Sequence, residues 1–396
     1  MILSGLLVAN LVQAMSSEEL QKKIKTLSPT GCVILHDESG KEIVSINPRK
    51  ALIPASIIKI ITASAVYDLL GKDFRFKTDF YLIDNSLGIK GWGDPFLISE
   101  EIALIVSKLK PKLPKNINGI YLDNSSFAQR IVVPGKSKTL NPYDAINGAL
   151  VVNFNTLNVG KSRKGEIYSA EEVTPLTPLA RIKADQLQSG KKERINLTEN
   201  PEESLRYVGE LFAAFLEQDG LTVDGDNLQN SSITKRWHKI YSHYNTRSLD
   251  AIFTGLMKYS NNFIANQAFL VLGAEKKGYP ASLDKSKVVL QGYLKQKWGF
   301  NEEDLYLEEA SGISRNNRMT GEQMMTVLES FRPNSYLLSE KKGIKIKSGT
   351  LTGVYNYAGY FTTSSGIRPF VIMTNQSVNQ RDRILKILRN ISTTHK

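Results

Sequence analysis

The stretch ALIPASIIKIITASAVY, residues 51–67, is apolar almost throughout and contains one charged side chain, Lys59. Pro54 suits the beginning of a helix and Gly71 suits its end, so the sequence predicts a helix over about residues 54–70. Because apolar residues surround this helix on all sides, we expect it to be buried. The stretch therefore predicts a core helix with a single lysine inside it.

The lysine in this helix is a candidate catalytic base. A buried lysine must reach solvent, find a partner or lose its proton, and desolvation lowers its pKa, so that a neutral amine becomes available as a base. Ser56 precedes Lys59 by three residues, which places both on one helix face. Ser56 also lies in the first turn, where free backbone N–H groups favour negative charge. The pattern indicates a nucleophilic serine beside its base; a capping serine and a lysine that reaches solvent are the structural alternative.

Two more polar motifs lie far along the chain. Ser260-Asn261-Asn262 separates two predicted helices, where a helix cap is the structural alternative. Lys347-Ser348-Gly349-Thr350 ends an alternating strand, where the alternative is an edge strand protected by lysines. Gly349 would allow another backbone or a ligand to approach the strand closely.

Together, the three motifs resemble the serine, second-serine and lysine boxes of β-lactamases and penicillin-binding proteins. Longer segments are similar to the low-molecular-mass class C penicillin-binding proteins, the D-alanyl-D-alanine carboxypeptidase/endopeptidase family. These segments are residues 249–270, 309–318 and 346–360, with GWGDP (91–95) and LDNS (122–125) resembling signatures of that family's inserted domain. The sequence departs from the family pattern at Asn261, Ser348 and Glu309-Ala310, where Asp, Thr and Asp-Gly are usual.

The resemblance implies a serine D-Ala-D-Ala peptidase that forms an acyl-enzyme on Ser56. Lys59 would accept the serine proton, Ser260 would pass it to the departing amine, and Asn262 would hold Lys59 and the substrate amide. Peptidoglycan stem peptides would be the substrates and β-lactams the acylating inhibitors. No metal or organic cofactor is implied.

Other residues are implied to bind the substrate. Lys347 would raise the positive potential, and the KSGT segment with Ser348, Gly349 and Thr350 would bind the substrate carboxylate. The backbone N–H groups of Ser56 and Thr350 would form the oxyanion hole. Two further residues match family positions that contact the stem-peptide side chain: Asp144, opposite an amine, and Arg315, opposite a carboxylate. A turn residue and a surface cation are the alternatives for these two.

The order of predicted elements suggests that both chain ends form one domain. A hairpin is predicted within residues 30–46, strands at 344–350, 355–363 and 369–374, and a packed helix at 381–391. We expect a catalytic domain from residues 15–83 and 241–396, with residues 84–240 inserted. The resemblance implies an α/β (α+β) fold, with an antiparallel sheet flanked by helices and a mostly-β insertion. The lysine-rich part, about residues 161–194, is short beside typical members of that family, so the resemblance implies that a third subdomain is reduced or absent.

Charge and the N-terminus bear on location. The net charge of +12 favours anionic partners, although scattered lysines that keep the protein in solution are the alternative. Nucleic acid is not expected, and peripheral association with the cell envelope stays open. The sequence contains no apolar run of about 18 or more residues, so we predict no membrane-spanning helix. Residues 2–14 resemble the apolar part of a signal peptide cleaved after Ala14, without its usual charged start; this predicts export to the periplasm, and a short buried helix is the alternative.

Competing active sites lack a sequence signature. The one cysteine, Cys32, excludes an intrachain disulfide, and there is no G-x-S-x-G, H-E-x-x-H or paired C-x-x-C motif. None of the four histidines adjoins a candidate serine. Two functions of other classes remain as alternatives: a β-lactamase or esterase on the same scaffold, and a non-catalytic module that binds the wall or senses β-lactams.

Overall fold

The computed structural model describes residues 17–225, 227–303 and 305–394. The predicted signal peptide, residues 1–14, lies outside these ranges. The α-helices of the described chain are Ser17–Leu27 (α1), Lys59–Leu70 (α2), Ser99–Leu109 (α3), Pro178–Ala184 (α4), Pro201–Gln218 (α5), Leu249–Tyr259 (α6), Asn262–Lys277 (α7), Leu283–Trp298 (α8), Gly321–Phe331 (α9) and Arg381–Thr394 (α10).

The strands of the first half of the chain are short. They are Cys32–His36 (β1), Glu42–Ile46 (β2), Lys77–Ile83 (β3), Ser86–Gly91 (β4), Asn116–Ile117 (β5), Ile120–Asp123 (β6), Thr156–Lys161 (β7), Ile167–Ser169 (β8) and Lys192–Asn196 (β9). The later strands are Thr222–Val223 (β10), Leu228–Asn230 (β11), His238–Tyr244 (β12), Ser339–Lys341 (β13), Ile344–Leu351 (β14), Val354–Thr363 (β15) and Gly366–Asn375 (β16).

A six-stranded antiparallel sheet contains strands from both ends of the chain. Its order is β13-β14-β15-β16-β1-β2, so the N-terminal hairpin extends the sheet that the C-terminal strands begin. Cys32 lies opposite Met373 in the central pair. The KSGT segment is thereby fixed on β14, and β15 and β16 separate it from the N-terminal strands.

Successive side chains of β1 point to opposite faces of the sheet and are buried in two different cores. Cys32 and Ile34 face the core built around α2, α6, α7, α8 and α9, whereas Val33 and Leu35 face α1 and α10. Ile384 and Leu388 of α10 are fully buried against this second face, which confirms that the C-terminal helix packs on the sheet. The fold is therefore an antiparallel sheet flanked by helices on both faces.

The middle of the chain builds a second unit with its own apolar core. Its five-stranded sheet has the order β11-β6-β4-β3-β12, and α3 and α5 pack on it. This segment is β-rich, as predicted, and also carries three helices. The strands at its borders, β3 and β12, pair with each other. We therefore propose that the insertion begins before residue 84 and ends after residue 240.

The lysine-rich part contributes a small third sheet. Its order is β8-β7-β9, and the seven-residue helix α4 lies beside it. This compact arrangement accords with the reduced subdomain that was expected there. Among the described residues, no helix is both long enough and apolar enough to cross a bilayer.

Close packing between α9 and β1 gives a test of the fold. A methyl group added at Gly321 would lie 2.0 Å from Cys32 Sγ, so Gly321→Ala is expected to cost about 1–3 kcal/mol of stability through overpacking. Cys32→Ala in the same chain removes the clashing sulfur, leaving the end of the Ile34 side chain as the nearest remaining neighbour. We expect thermal unfolding to show a higher Tm for the double variant than for Gly321→Ala alone; simple addition of two losses would contradict this packing.

Candidate active site

Ser56 and Lys59 are aligned by a tight turn at the beginning of the core helix. The chain does not enter an α-helix directly at Pro54, as the sequence suggests, but first makes a 3₁₀ turn over Ala55–Ile58. Residues i and i+3 eclipse one another in a 3₁₀ helix, so the Ser56 side chain lies directly over that of Lys59. Lys59 Nζ is 2.9 Å from Ser56 Oγ. The alternative of a lysine that extends to solvent is excluded, since Lys59 is fully buried.

Two other contacts fix the Lys59 amine. It donates to Asn262 Oδ1 at 2.8 Å and to the Ser311 carbonyl oxygen at 2.5 Å. Both of these partners are acceptors. A neutral amine has two N–H donors, which these two oxygens use, and its lone pair is then directed at Ser56 Oγ. The site is therefore arranged for the amine to receive the serine proton.

Electrostatics favour this neutral amine. Burial, and then the positive charge of Lys347, hold the pKa of Lys59 well below its usual value of 10.5, while the Glu309 carboxylate acts in the opposite direction. The desolvation predicted from the apolar sequence around Lys59 is thus the leading cause of the shift.

The residues of the Ser260-Asn261-Asn262 motif have two different roles: one residue caps a helix, and the other two contact the buried lysines. Asn261 caps α7 by accepting from the Ile264 N–H at 3.1 Å. Ser260 adopts a left-handed backbone, with φ of 53°, and its Oγ accepts from Lys347 Nζ at 2.8 Å. The capping alternative therefore describes Asn261, while Ser260 and Asn262 contact the two lysines.

Lys347 is buried, unlike the other lysines near it. It is 1% exposed, whereas Lys341 and Lys342, which precede β14, are exposed. The alternative of lysines that protect an edge strand therefore fits Lys341 and Lys342 and does not fit Lys347. Burial, and then the positive charge of Arg381, lower the pKa of Lys347 to about 7. Its charge therefore changes close to neutral pH.

Two glycines let distant backbones meet at Ser56. A Cβ on Gly349 would lie 2.8 Å from the Pro54 carbonyl oxygen and 3.1 Å from the Ser56 nitrogen. At Gly312, whose φ is +85°, a Cβ would lie 2.0 Å from the Ala55 carbonyl oxygen. Ala55 itself has a φ of 48°, an unfavourable value for a residue with a side chain. The serine turn is thus held between β14 and the loop that contains Gly312.

Asn356 is fully buried, and the sequence analysis did not predict a role for it. Its side-chain amide donates to the carbonyl oxygens of Ile53 and Pro54, at 2.9 and 2.8 Å, and its Oδ1 accepts from the Thr374 N–H. It thereby attaches the segment before Ser56 to β15 and β16. Its position within the family-like segment 346–360 was the only signal in the sequence.

Glu309 is a second residue whose role the sequence did not reveal. Its carboxylate is fully buried and accepts from six donors: the N–H groups of Ser311, Gly312 and Ser314, the Ser311 hydroxyl, and the side-chain amides of Asn266 and Asn317. This network fixes the loop whose Ser311 carbonyl contacts Lys59. The family pattern has Asp-Gly at positions 309 and 310. In this chain, the longer side chain of Glu309 places its carboxylate at the centre of the loop.

The residues singled out in the sequence converge on one cleft of about 880 Å³. Its walls include Ser56, Asp144, Ser260, Asn262, Arg315, Ser348 and Thr350. Lys59 and Lys347 lie buried beneath these residues, and Gly349 packs against the serine turn.

Asp144 and Arg315 differ in how free they are to meet a ligand. Asp144 is 5% exposed, and its carboxylate accepts from the Ser137 N–H and the Thr139 hydroxyl at 2.9 and 2.5 Å. Arg315 is exposed at the rim and donates to the Thr352 carbonyl oxygen at 2.5 Å. Arg315 is therefore the more accessible of the two.

The sequence matches a known family over most of its length. The model of the D-Ala-D-Ala carboxypeptidase 3 (S13) family matches residues 8–202 and 188–339. The D-alanyl-D-alanine carboxypeptidase of Actinomadura sp. (strain R39) is 22% identical over 429 residues, covering 87% of this chain and 77% of the relative.

Solved structures share the fold. The crystal structure of penicillin binding protein 4 (dacB) from Haemophilus influenzae superposes with a TM-score of 0.74 at 20% identity, covering 96% of this chain and 99% of that one. The same protein complexed with a novel β-lactam gives a TM-score of 0.69 at 19% identity over 96% and 99% of the two chains.

The Glu309 network predicts a large effect of a small change. In Glu309→Gln, the amide nitrogen replaces an oxygen that faces N–H and O–H donors on either side, so we expect a loss of about 3 kcal/mol or more in unfolding free energy. Urea unfolding measures it, with Glu322→Gln as the control because that carboxylate is exposed in a surface ion pair. Equal stabilities of the two variants would contradict the central role of Glu309.

Proposed function

This chain belongs to the D-Ala-D-Ala carboxypeptidase 3 (S13) family of serine peptidases, and from this premise we propose that Ser56 is the nucleophile through which it cleaves the terminal D-Ala-D-Ala bond of peptidoglycan stem peptides. The observation that carries the proposal is the contact of 2.9 Å between Ser56 Oγ and the buried amine of Lys59. Burial holds the pKa of Lys59 well below its usual value, which suits this amine to accept the Ser56 proton.

Acylation begins with proton transfer to Lys59. Ser56 Oγ attacks the carbonyl carbon of the penultimate D-Ala, a C–O bond forms, and the serine proton moves to the Lys59 lone pair. The carbonyl oxygen becomes an oxyanion, which the backbone N–H groups of Ser56 and Thr350 stabilise. The close approach of Gly349 to the serine turn supports this pairing of the two backbones.

Release of the terminal D-Ala requires a proton on its nitrogen. Ser260 is the relay: it gives its hydroxyl proton to the departing amine as the C–N bond breaks, and it regains a proton from the lysines. The contact of 2.8 Å between Lys347 and Ser260 supports this role, and Asn262 orients Lys59 and the substrate amide. Water then attacks the ester, so Ser56 is restored and the shortened peptide leaves.

Substrate recognition divides between the two ends of the cleft. Lys347, Ser348 and Thr350 bind the terminal carboxylate, and the longer stem peptide extends toward Arg315. Arg315, exposed at the rim, meets a carboxylate on that peptide. Asp144 lies in the cleft wall, where the Ser137 N–H and the Thr139 hydroxyl orient its carboxylate, and it supplies negative charge near an amine of the stem peptide.

The open cleft supports a wider substrate range, and membership of the family supports an extracytoplasmic location. The cleft is open, which accommodates endopeptidase action on cross-links, where the leaving amine belongs to a second stem peptide. Its substrate lies in the cell wall, and we propose export to the periplasm, with the net charge of +12 favouring peripheral contact with the anionic envelope.

Covalent labelling tests the nucleophile. Intact-protein mass spectrometry after treatment with penicillin should show one adduct, and peptide mapping should place it on Ser56. Ser56→Ala should lose the adduct and lower D-Ala-D-Ala hydrolysis by several orders of magnitude. Ser64→Ala is the matched control, because Ser64 lies on the same buried helix and its hydroxyl donates to the Ile60 carbonyl oxygen.

The lifetime of the adduct separates the alternatives. A long-lived adduct supports the peptidase, whereas rapid release of hydrolysed penicillin supports a β-lactamase. An adduct on another residue, or peptide turnover retained in Ser56→Ala, would remove Ser56 from the mechanism. A protein that is acylated but never turns over a D-Ala-D-Ala peptide would be a sensing module.

The shifted pKa of Lys347 predicts a pH profile. The cation that attracts the substrate carboxylate is present below the Lys347 pKa and lost above it, so kcat/KM for a D-Ala-D-Ala peptide should fall as pH rises through about 7. Steady-state kinetics across this interval provide the test, and Lys341→Gln, which removes an exposed lysine on β13, should leave the profile unchanged. A flat kcat/KM across neutrality would show that the charge of Lys347 is not needed.

A further inference from the structure

Arg381 lies beside the end of the KSGT strand, outside every motif that the sequence indicated. It is the first residue of α10, and its Nη1 donates to Thr350 Oγ1 at 2.6 Å and lies 3.4 Å from the Gly349 carbonyl oxygen. Its guanidinium carbon is 4.5 Å from the centre of the Tyr357 ring. The side chain is thus fixed from two directions, against the strand and over an aromatic face.

The contact with Thr350 determines what that hydroxyl offers to a ligand. A threonine hydroxyl has one proton and two lone pairs. Because Arg381 has no acceptor, it uses one lone pair of Thr350 Oγ1, and the hydroxyl proton must point away from the guanidinium. Thr350 lines the cleft with Ser56 and Ser348. Its hydroxyl is therefore held as a donor that is available to an anion in the cleft.

Arg381 also supplies charge that does not titrate. Lys347, the cation already placed in the cleft, has a pKa of about 7 and loses its charge near neutral pH. A guanidinium keeps its charge at every pH where the protein is folded. The positive potential at this end of the cleft is consequently maintained when Lys347 is neutral.

A purely structural role for Arg381 is less well supported. The helix α10 is already attached to the sheet by Ile384, Leu388 and Ile391, which are buried against it. Tyr357, the platform under the guanidinium, is in turn fixed by donating its hydroxyl proton to Asp382 at 2.9 Å. These contacts orient the Arg381 side chain toward Thr350, which the docking of the helix does not require.

We propose that Arg381 is a positioning residue for substrate recognition: it turns the Thr350 hydroxyl toward the terminal carboxylate of the substrate and adds a permanent positive charge beside it. The inference rests on the proposed function, because it concerns the specificity of the same cleft. It assigns to Arg381 the preference for a peptide that ends in a free carboxylate.

The test compares two substrates that differ only at this carboxylate. One is a tripeptide ending in D-Ala-D-Ala, and the other is the same peptide with its C-terminal carboxyl converted to a carboxamide. In Arg381→Gln, kcat/KM for the acid should fall roughly 10- to 100-fold, the usual value of a hydrogen bond to a charged group, while the carboxamide changes little. The loss should lie mainly in KM. Arg381→Lys should recover part of the preference for the acid.

Control variants separate positioning from folding. Arg383→Gln changes an exposed arginine of the same helix and should leave both rates unaltered. In a Thr350→Val background, Arg381→Gln should reduce the preference for the acid by less than it does when Thr350 is present, because only the loss of charge then remains. Arg381→Met, which keeps the packing over Tyr357, replaces Arg381→Gln if the latter does not fold.

Three results would overturn the role of Arg381. They are an equal loss for acid and carboxamide, an undiminished preference for the acid in a folded neutral variant, and a full additional loss in the Thr350→Val background. A wild-type protein that hydrolyses neither peptide would instead contradict the proposed function, and the role of Arg381 would fall with it.

Discussion

The whole site depends on keeping one amine out of water. Lys59 is completely enclosed and contacts the oxygens of Ser56, Asn262 and Ser311. These oxygens come from three parts of the chain, so the amine is stabilised only when all three are assembled. A solvated lysine would hold its proton and would be no base at neutral pH. The burial of this helix is therefore a condition for chemistry as well as for stability.

The surrounding polar groups maintain this arrangement by satisfying one another. Glu309 arranges the loop that presents the Ser311 carbonyl, and Asn356 holds the backbone ahead of Ser56. Gly312 and Gly349 supply the space for those backbones to approach. The left-handed Ala55 and Ser260 both lie at this site, so two unfavourable backbone conformations adjoin the proposed reacting groups, and the neighbouring contacts hold them there.

The sequence could predict the parts of this site that are local. The spacing of Ser56 and Lys59, the apolar helix around them and the alternation of β14 follow from short-range periodicity, and resemblance supplied the relation between the three motifs. Asn356 and Arg381 were not predicted to have these roles, because each acts through contacts with residues distant in the chain. Glu309 was missed although most of its donors are local, because the sequence does not show that the loop folds around its carboxylate. The 3₁₀ turn at Ser56 was also missed, since propensity alone does not distinguish it from an α-helical first turn.

The union of both chain ends in one sheet has a consequence for how the protein reaches this state. The Ser28 hydroxyl donates to the Gln376 side chain across 348 positions, and β1, whose one edge pairs with β2, pairs with β16 along its other edge. Loop closure over such a distance is slow, and one edge of β1 stays unpaired until β16, Gly366–Asn375, has been synthesised. The sheet beside the proposed nucleophile therefore cannot close before β16 has emerged, so the proposed activity is delayed until late in synthesis.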